Sequence, residues 1–129
     1  AAAPDGHPIL SQTRVNPEDL APRDLILLED GHCLRDHALA ACGLEPPKST
    51  DEETFAATSL PTLVQMVGSG LGLTFLPAMA IDAGLIGNTP VTIRPLAEGH
   101  PTREIVVAWR AGSSRATEGR LLAATLRQA

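Results

Sequence analysis

The sequence predicts an α/β domain built on a mainly parallel sheet. Short apolar runs of strand length alternate with stretches of helical periodicity along the 129 residues. One run, Leu25-Ile-Leu-Leu28, is apolar at every position, as in a strand covered on both faces. The order strand, helix, strand, helix, strand is the one that parallel sheets with crossover helices require.

Residues 1–24 are rich in Pro, Asp and Asn, with Leu10, Val15 and Leu20 as scattered apolar anchors. Asn16-Pro-Glu-Asp-Leu20 fits one helical turn, with Asn as cap and Pro in first place. After the 25–28 strand, Glu29-Asp-Gly31 turns the chain into a helix. Leu34, Ala38, Ala41 and Cys42 recur there at helical intervals, and Gly43 is placed to stop it. A loop covers 44–53, and Phe55-Ala-Ala-Thr58 reads as a second strand. Ser59 then caps a helix carrying Leu60, Leu63, Val64 and Val67, with Pro61 tolerated in its first turn. Residues 71–76 read as a third strand, 77–83 as a short helix, 91–93 and 105–109 as further strands, and 114–127 as a closing amphipathic helix.

Composition narrows the function. The hydrophobic content of 43% suits one globular core, so residues 1–129 are read as one domain. Aromatic residues make up only 2%, which leaves the core to Leu, Val, Ile and Ala. The net charge is −5 and no two Lys or Arg residues adjoin, so the chain lacks the basic footprint that binds a phosphate backbone. No apolar stretch is long enough to span a bilayer and the first residues do not resemble a signal peptide, so a cytoplasmic location with no membrane partner is expected.

Cys33 and Cys42 are the only cysteines, and they bracket Cys33-Leu-Arg-Asp-His-Ala-Leu-Ala-Ala-Cys42. In a helix, nine steps cover about 13.5 Å of axis and two and a half turns, which puts the two sulfurs on opposite sides. A disulfide needs Cα atoms roughly 4.4 to 6.8 Å apart. Joining them therefore demands unwinding, which would couple sulfur chemistry to a change of shape. In a reducing compartment such a pair is sensing or catalytic more readily than structural.

Cys33 falls at the predicted helix start, where unpaired N–H groups and the macrodipole favour an anion, and His32 and Arg35 add positive charge. These surroundings favour the thiolate, which attacks peroxide to give a sulfenic acid that a second thiol condenses to a disulfide. Cys42, on the apolar face, is the candidate partner. The competing reading makes both cysteines small buried apolar side chains. His32, Cys33, His37 and Cys42 match no familiar zinc spacing, and neither a metal nor a cofactor is expected. Thr58 and Ser59 precede a helix start and read either as a cap or as a small-anion site. Arg103 reads as a rim salt-bridge residue or as a partner to a buried anion. Gly68-Ser-Gly-Leu-Gly72 lies between helix and strand, the reverse of a dinucleotide fingerprint. No hydrolase signature stands out.

The string Leu28-Glu-Asp-Gly-His-Cys-Leu-Arg-Asp36, with Cys42 beyond it, resembles the redox segment of the OxyR-type, peroxide-sensing LysR-type transcriptional regulators. Ala57-Thr-Ser-Leu60, Gly72-Leu-Thr-Phe-Leu-Pro77, Trp109-Arg110 and Gly112-Ser113 extend the likeness over nearly the whole chain. The resemblance implies a periplasmic-binding-protein-like (type 2) regulatory domain, here its second subdomain plus the returning C-terminal part of the first. It implies that Cys33 is the peroxidatic cysteine and Cys42 the resolving one, with His32, Arg35, Asp36 and Arg103 as the supporting polar shell. Hydrogen peroxide, a cellular disulfide reductant and a second copy are the implied partners. DNA would be reached only through an N-terminal winged helix-turn-helix absent from this chain. Two other classes stay open: a metabolite-binding effector domain of the same superfamily, gripping a carboxylate at Thr58 and Ser59, and a thiol peroxidase.

Overall fold

The structure is a computed structural model that describes residues 1–43, 56–97, 102 and 104–127. Four helices and four short strands follow one another along the described residues: β1 (Ala2–Pro4), β2 (Leu27–Leu28), α1 (Cys33–Ala41), β3 (Ala56–Ala57), α2 (Leu60–Gly68), α3 (Ala78–Asp82), β4 (Val91–Ile93) and α4 (Ala116–Leu126). Tight turns at Pro8–Ser11, Pro17–Asp19 and Pro22–Asp24 fill the N-terminal stretch, each with a proline in its first position. Asn16 precedes the second of these as expected, although its side chain makes no cap bond.

β2 and β3 pair in parallel, Leu27 opposite Ala56 and Leu28 opposite Ala57. β1 and β4 pair antiparallel, Ala2 opposite Ile93 and Pro4 opposite Val91. Leu73 and Thr74 join the two pairs. The Leu73 N–H donates to the Asp24 carbonyl and the Ile26 N–H to Leu73, both at 2.7 Å, while Ala2 and Thr74 exchange bonds of 2.8 and 3.1 Å. The resulting order is β3, β2, the 73–74 segment, β1, β4, in which the sheet is mixed and not mainly parallel. The antiparallel member, β1, is spelled Ala-Ala-Pro and carries no β-branched residue that would announce a strand. Its pairing comes from the neighbours it meets across the fold.

Alternation along β2 divides the core, because successive strand residues face opposite sides. Leu25 and Leu27 join Val15, Leu20, Leu73, Phe75 and, from α1, Ala38, Leu39 and Cys42. Ile26 and Leu28 join Ala2, Ala57, Val91 and, from α2, Leu63, Val64 and Val67. The apolar run at 25–28 is thus covered on both faces, as its composition requires.

Two close approaches fix this arrangement. A Cβ on Gly72 would stand 2.6 Å from the Asp24 carbonyl oxygen, so only glycine lets the 73–74 segment pack against the chain leading into β2. Thr74, almost wholly buried, donates its hydroxyl to the Ile26 carbonyl at 2.8 Å. The N-terminal stretch is more firmly held than its composition suggests. Arg94 donates to the carbonyls of Leu10, at 2.9 and 3.1 Å, and Gln12, at 3.1 Å. Val15 bonds Pro95 and accepts from Ala97, and it is fully buried.

The C-terminal part departs from expectation. Residues 104–110 form no strand, and Ile105 and Val106 are 71% and 66% exposed. An apolar β-rich run becomes a strand only beside a partner edge, and no edge among the described residues pairs with this one. α4 forms as the sequence predicts, but it buries none of its residues, and Leu121, Leu122 and Leu126 face outward. Within this part Trp109 lies over Gly119, whose missing side chain leaves room for the indole. Phe55, Arg103 and the 44–53 loop lie outside the described residues.

Candidate functional site

The site is built on α1. Gly31 adopts φ +89°, a conformation that favours glycine, and so turns the end of β2 into the helix. His32 occupies the N-cap in an extended conformation, and its side chain makes no capping bond. Cys33 is therefore the first helical residue, and it is exposed to solvent. Cys42 is the C-cap, its N–H bonding back to Leu39 at 3.0 Å, and Gly43 follows at φ +65°.

The nine-residue helix thus separates the thiols as the spacing anticipates: one at the exposed start, the other at the buried end. The sulfurs are not joined. Cys42 is 8% exposed and packs among apolar residues, so desolvation of its charged form pushes the thiol above its ordinary value. Cys42 sits in a medium that holds it neutral.

Among the flanking residues, His32, Asp36 and His37 are exposed along the first turns of α1. Arg35 differs. It is 9% exposed, donates Nη1 to the Leu28 carbonyl at 3.2 Å, and pairs Nε with the Asp30 carboxylate at 3.1 Å. Sequence reasoning singled out Arg35 but not Asp30. The signal was present in Asp30-Gly31, a turn dipeptide that brings an acid back toward the helix entering behind it. Beneath α1 lies a cavity of about 10 Å³ lined by Leu27, Leu34, Arg35, Ala38, Leu63 and Phe75 among others, room for about one water.

Thr58 and Ser59 lie at the same edge of the sheet. Leu28 and Ala57 are register partners in parallel strands, and each strand leads within a few residues into a helix start. Ser59 acts as the cap: its Oγ accepts from the Thr62 N–H at 3.3 Å and lies 3.0 Å from the Thr62 hydroxyl. Thr58 is exposed. Among the described residues no group of three or more His, Cys, Asp and Glu is arranged to hold a metal. None of the helices described is long and apolar enough to cross a membrane.

The mixed sheet carries helices on both faces, and a thiol-bearing helix start stands at the carboxyl edge of its parallel strands. The chain belongs to the LysR substrate binding domain family, which it matches over residues 1–129, and so has the periplasmic-binding-protein-like fold. Several of the proteins it is similar to are peroxide regulators. It is 40% identical over 123 residues to the hydrogen peroxide-inducible genes activator of Pectobacterium carotovorum, covering 95% of this chain and 39% of that protein. It is 39% identical over 124 residues to the DNA-binding transcriptional dual regulator OxyR of Escherichia coli, again covering 95% of this chain and 39% of the relative. The reduced OxyR regulatory domain of Pseudomonas aeruginosa superposes with a TM-score of 0.76 at 30% identity, over 99% of this chain and 60% of that one. The chain thus spans about two fifths of the length of these two regulators.

Proposed function

We propose that this chain is the redox-sensing part of a hydrogen-peroxide-responsive transcriptional regulator, switched by a reversible Cys33–Cys42 disulfide. The observation that carries the reading is the division of the two thiols along α1, Cys33 exposed at its start and Cys42 buried at its end. Cys33 reacts as its thiolate, the nucleophilic form of a cysteine. Its sulfur attacks one peroxide oxygen, the O–O bond breaks, and hydroxide leaves to take up a proton as water. Cys33 is then a sulfenic acid, which the Cys42 thiol attacks to form the S–S bond with loss of a second water. Two thiols are oxidised and one peroxide is reduced to two waters.

His32 and Asp36 flank the reacting sulfur in sequence, and Arg103 completes the polar shell in this reading. Because the bond cannot form across an intact helix, the chemistry unwinds α1 and drags Cys42 from the core. Closing a loop of this size costs the unwound segment roughly 3 kcal/mol of chain entropy, so the S–S bond formed at the expense of peroxide has to carry both that cost and the lost packing. A cellular dithiol resets the switch by thiol–disulfide exchange, so peroxide is consumed stoichiometrically and not by turnover. The full regulator works in the cytoplasm as a homo-oligomer and reaches DNA through a separate N-terminal domain. A metabolite effector held at Thr58 and Ser59 has weaker support, since the Ser59 hydroxyl is already committed to capping α2.

The test adds about one equivalent of hydrogen peroxide to the reduced protein, traps the remaining thiols by alkylation and measures intact mass. The expected result is loss of two thiols and two hydrogens, mapped to Cys33 and Cys42. Cys42→Ser retains a sulfenic acid at Cys33, trapped with dimedone, and forms no internal disulfide. Persistence of both thiols would refute the reading.

A further inference from the structure

We propose that Arg35 is the latch of this switch, a positioning residue that holds α1 against the end of β2 and so favours the reduced form. The inference rests on the Cys33–Cys42 reading and adds what sets its balance. Arg35 is the third residue of α1, two beyond Cys33, and it is the charged side chain that α1 buries. Its guanidinium reaches back across the 29–32 turn to the Leu28 carbonyl at 3.2 Å and to Asp30 at 3.1 Å. On the backbone, the Arg35 N–H also bonds the His32 carbonyl at 2.8 Å. The first turn of α1 is thereby clipped to the strand that precedes it.

Disulfide formation has to bring Cys33 through most of the distance to Cys42, since an intact helix holds them about 13.5 Å apart. Cys42 is packed among Val15, Leu20, Leu25 and Phe75 on one face of the sheet, and Cys33 stands at the opposite side of the helix. The first turn must therefore leave β2, and it cannot do so without parting the guanidinium from Leu28 and Asp30. Removing Arg35 leaves the Leu28 carbonyl without its charged donor in the helical form, while in the unwound form that carbonyl is open to water. The loss thus weakens the reduced state more than the oxidised one.

The experiment equilibrates the intact protein with mixtures of reduced and oxidised glutathione and measures the fraction carrying the Cys33–Cys42 disulfide, from acid to alkaline pH. Arg35→Met is expected to favour the disulfide by about tenfold at every pH, about 30 mV more negative in potential, the size of effect that one charged hydrogen bond commands. Arg35→Lys, which keeps the charge but not the two-pronged reach, falls between the two. Asp30→Asn touches an exposed partner and spares the core, so it keeps the proposal testable if Arg35→Met fails to fold; it shifts the balance the same way by less. Unchanged potentials in these variants would overturn the latch. So would a shift confined to the pH range where Cys33 ionises, which would make Arg35 a partner of the thiolate. A parent protein that forms no Cys33–Cys42 disulfide in any mixture would sink the switch itself, and the latch with it.

Discussion

Burial of the Cys42 thiol ties its chemistry to the stability of the fold. Desolvation raises its ionisation above the ordinary 9.0, so the folded form prefers the neutral thiol. A group whose folded value is raised contributes stability that is complete below the unfolded value and is lost as pH climbs through the folded one. The reduced protein is therefore expected to lose stability above pH 9.0 more steeply than Cys42→Ala, in urea unfolding followed as a function of pH. Parallel profiles would mean that the thiol ionises without penalty. In the proposed switch the same preference keeps Cys42 unreactive until the helix that buries it opens. Arg94 shows the opposite use of a polar side chain: its guanidinium spends its donors on the carbonyls of Leu10, Gln12 and Ile93 and so ties the N-terminal turns to β4.

Helices α1 and α2 have the same length but are anchored differently. α2 has a serine cap bonded to its third residue and places Leu63, Val64 and Val67 in the core, each at 1% exposure or less. α1 begins at His32 without a side-chain cap bond, and its first turn is held by the reach of Arg35. In the proposed switch the helix that unwinds is the one whose first turn Arg35 clips to the end of β2. Ser59→Ala is expected to cost about 1 kcal/mol in urea unfolding, the usual worth of such a cap. A metabolite site at Ser59 would instead show itself as lost ligand stabilisation with little change in the unliganded protein.

Across the whole molecule, apolar surface is unevenly distributed. The described residues up to 97 build the two-sided core, while Ile105, Val106, Leu121, Leu122 and Leu126 remain exposed. Because Leu121 and Leu122 add little to the core, replacing both with Glu is expected to change unfolding free energy by less than about 0.5 kcal/mol per site. A loss of several kcal/mol in urea unfolding would show that α4 packs on the body more tightly than its exposure indicates.

Local sequence alone determined the helices and the division of the thiols. Spacing of Leu34, Ala38 and Cys42, the Gly31 and Gly43 boundaries and the Ser59 cap are contained within one or two turns of chain, where propensity and periodicity act. The two-faced burial of Leu25 to Leu28 was legible for the same reason. Tertiary structure decided what depends on distant partners. β1 is a strand because Thr74 and β4 flank it, and the 105–109 run is not one because no edge among the described residues pairs with it. Arg35, read from sequence as part of a peroxide shell, gained its anchoring contacts only when β2 and the Asp30 turn were folded beneath it. Hydrogen bonds across a sheet and under a helix join residues that the chain's order leaves apart, and no local pattern encodes them.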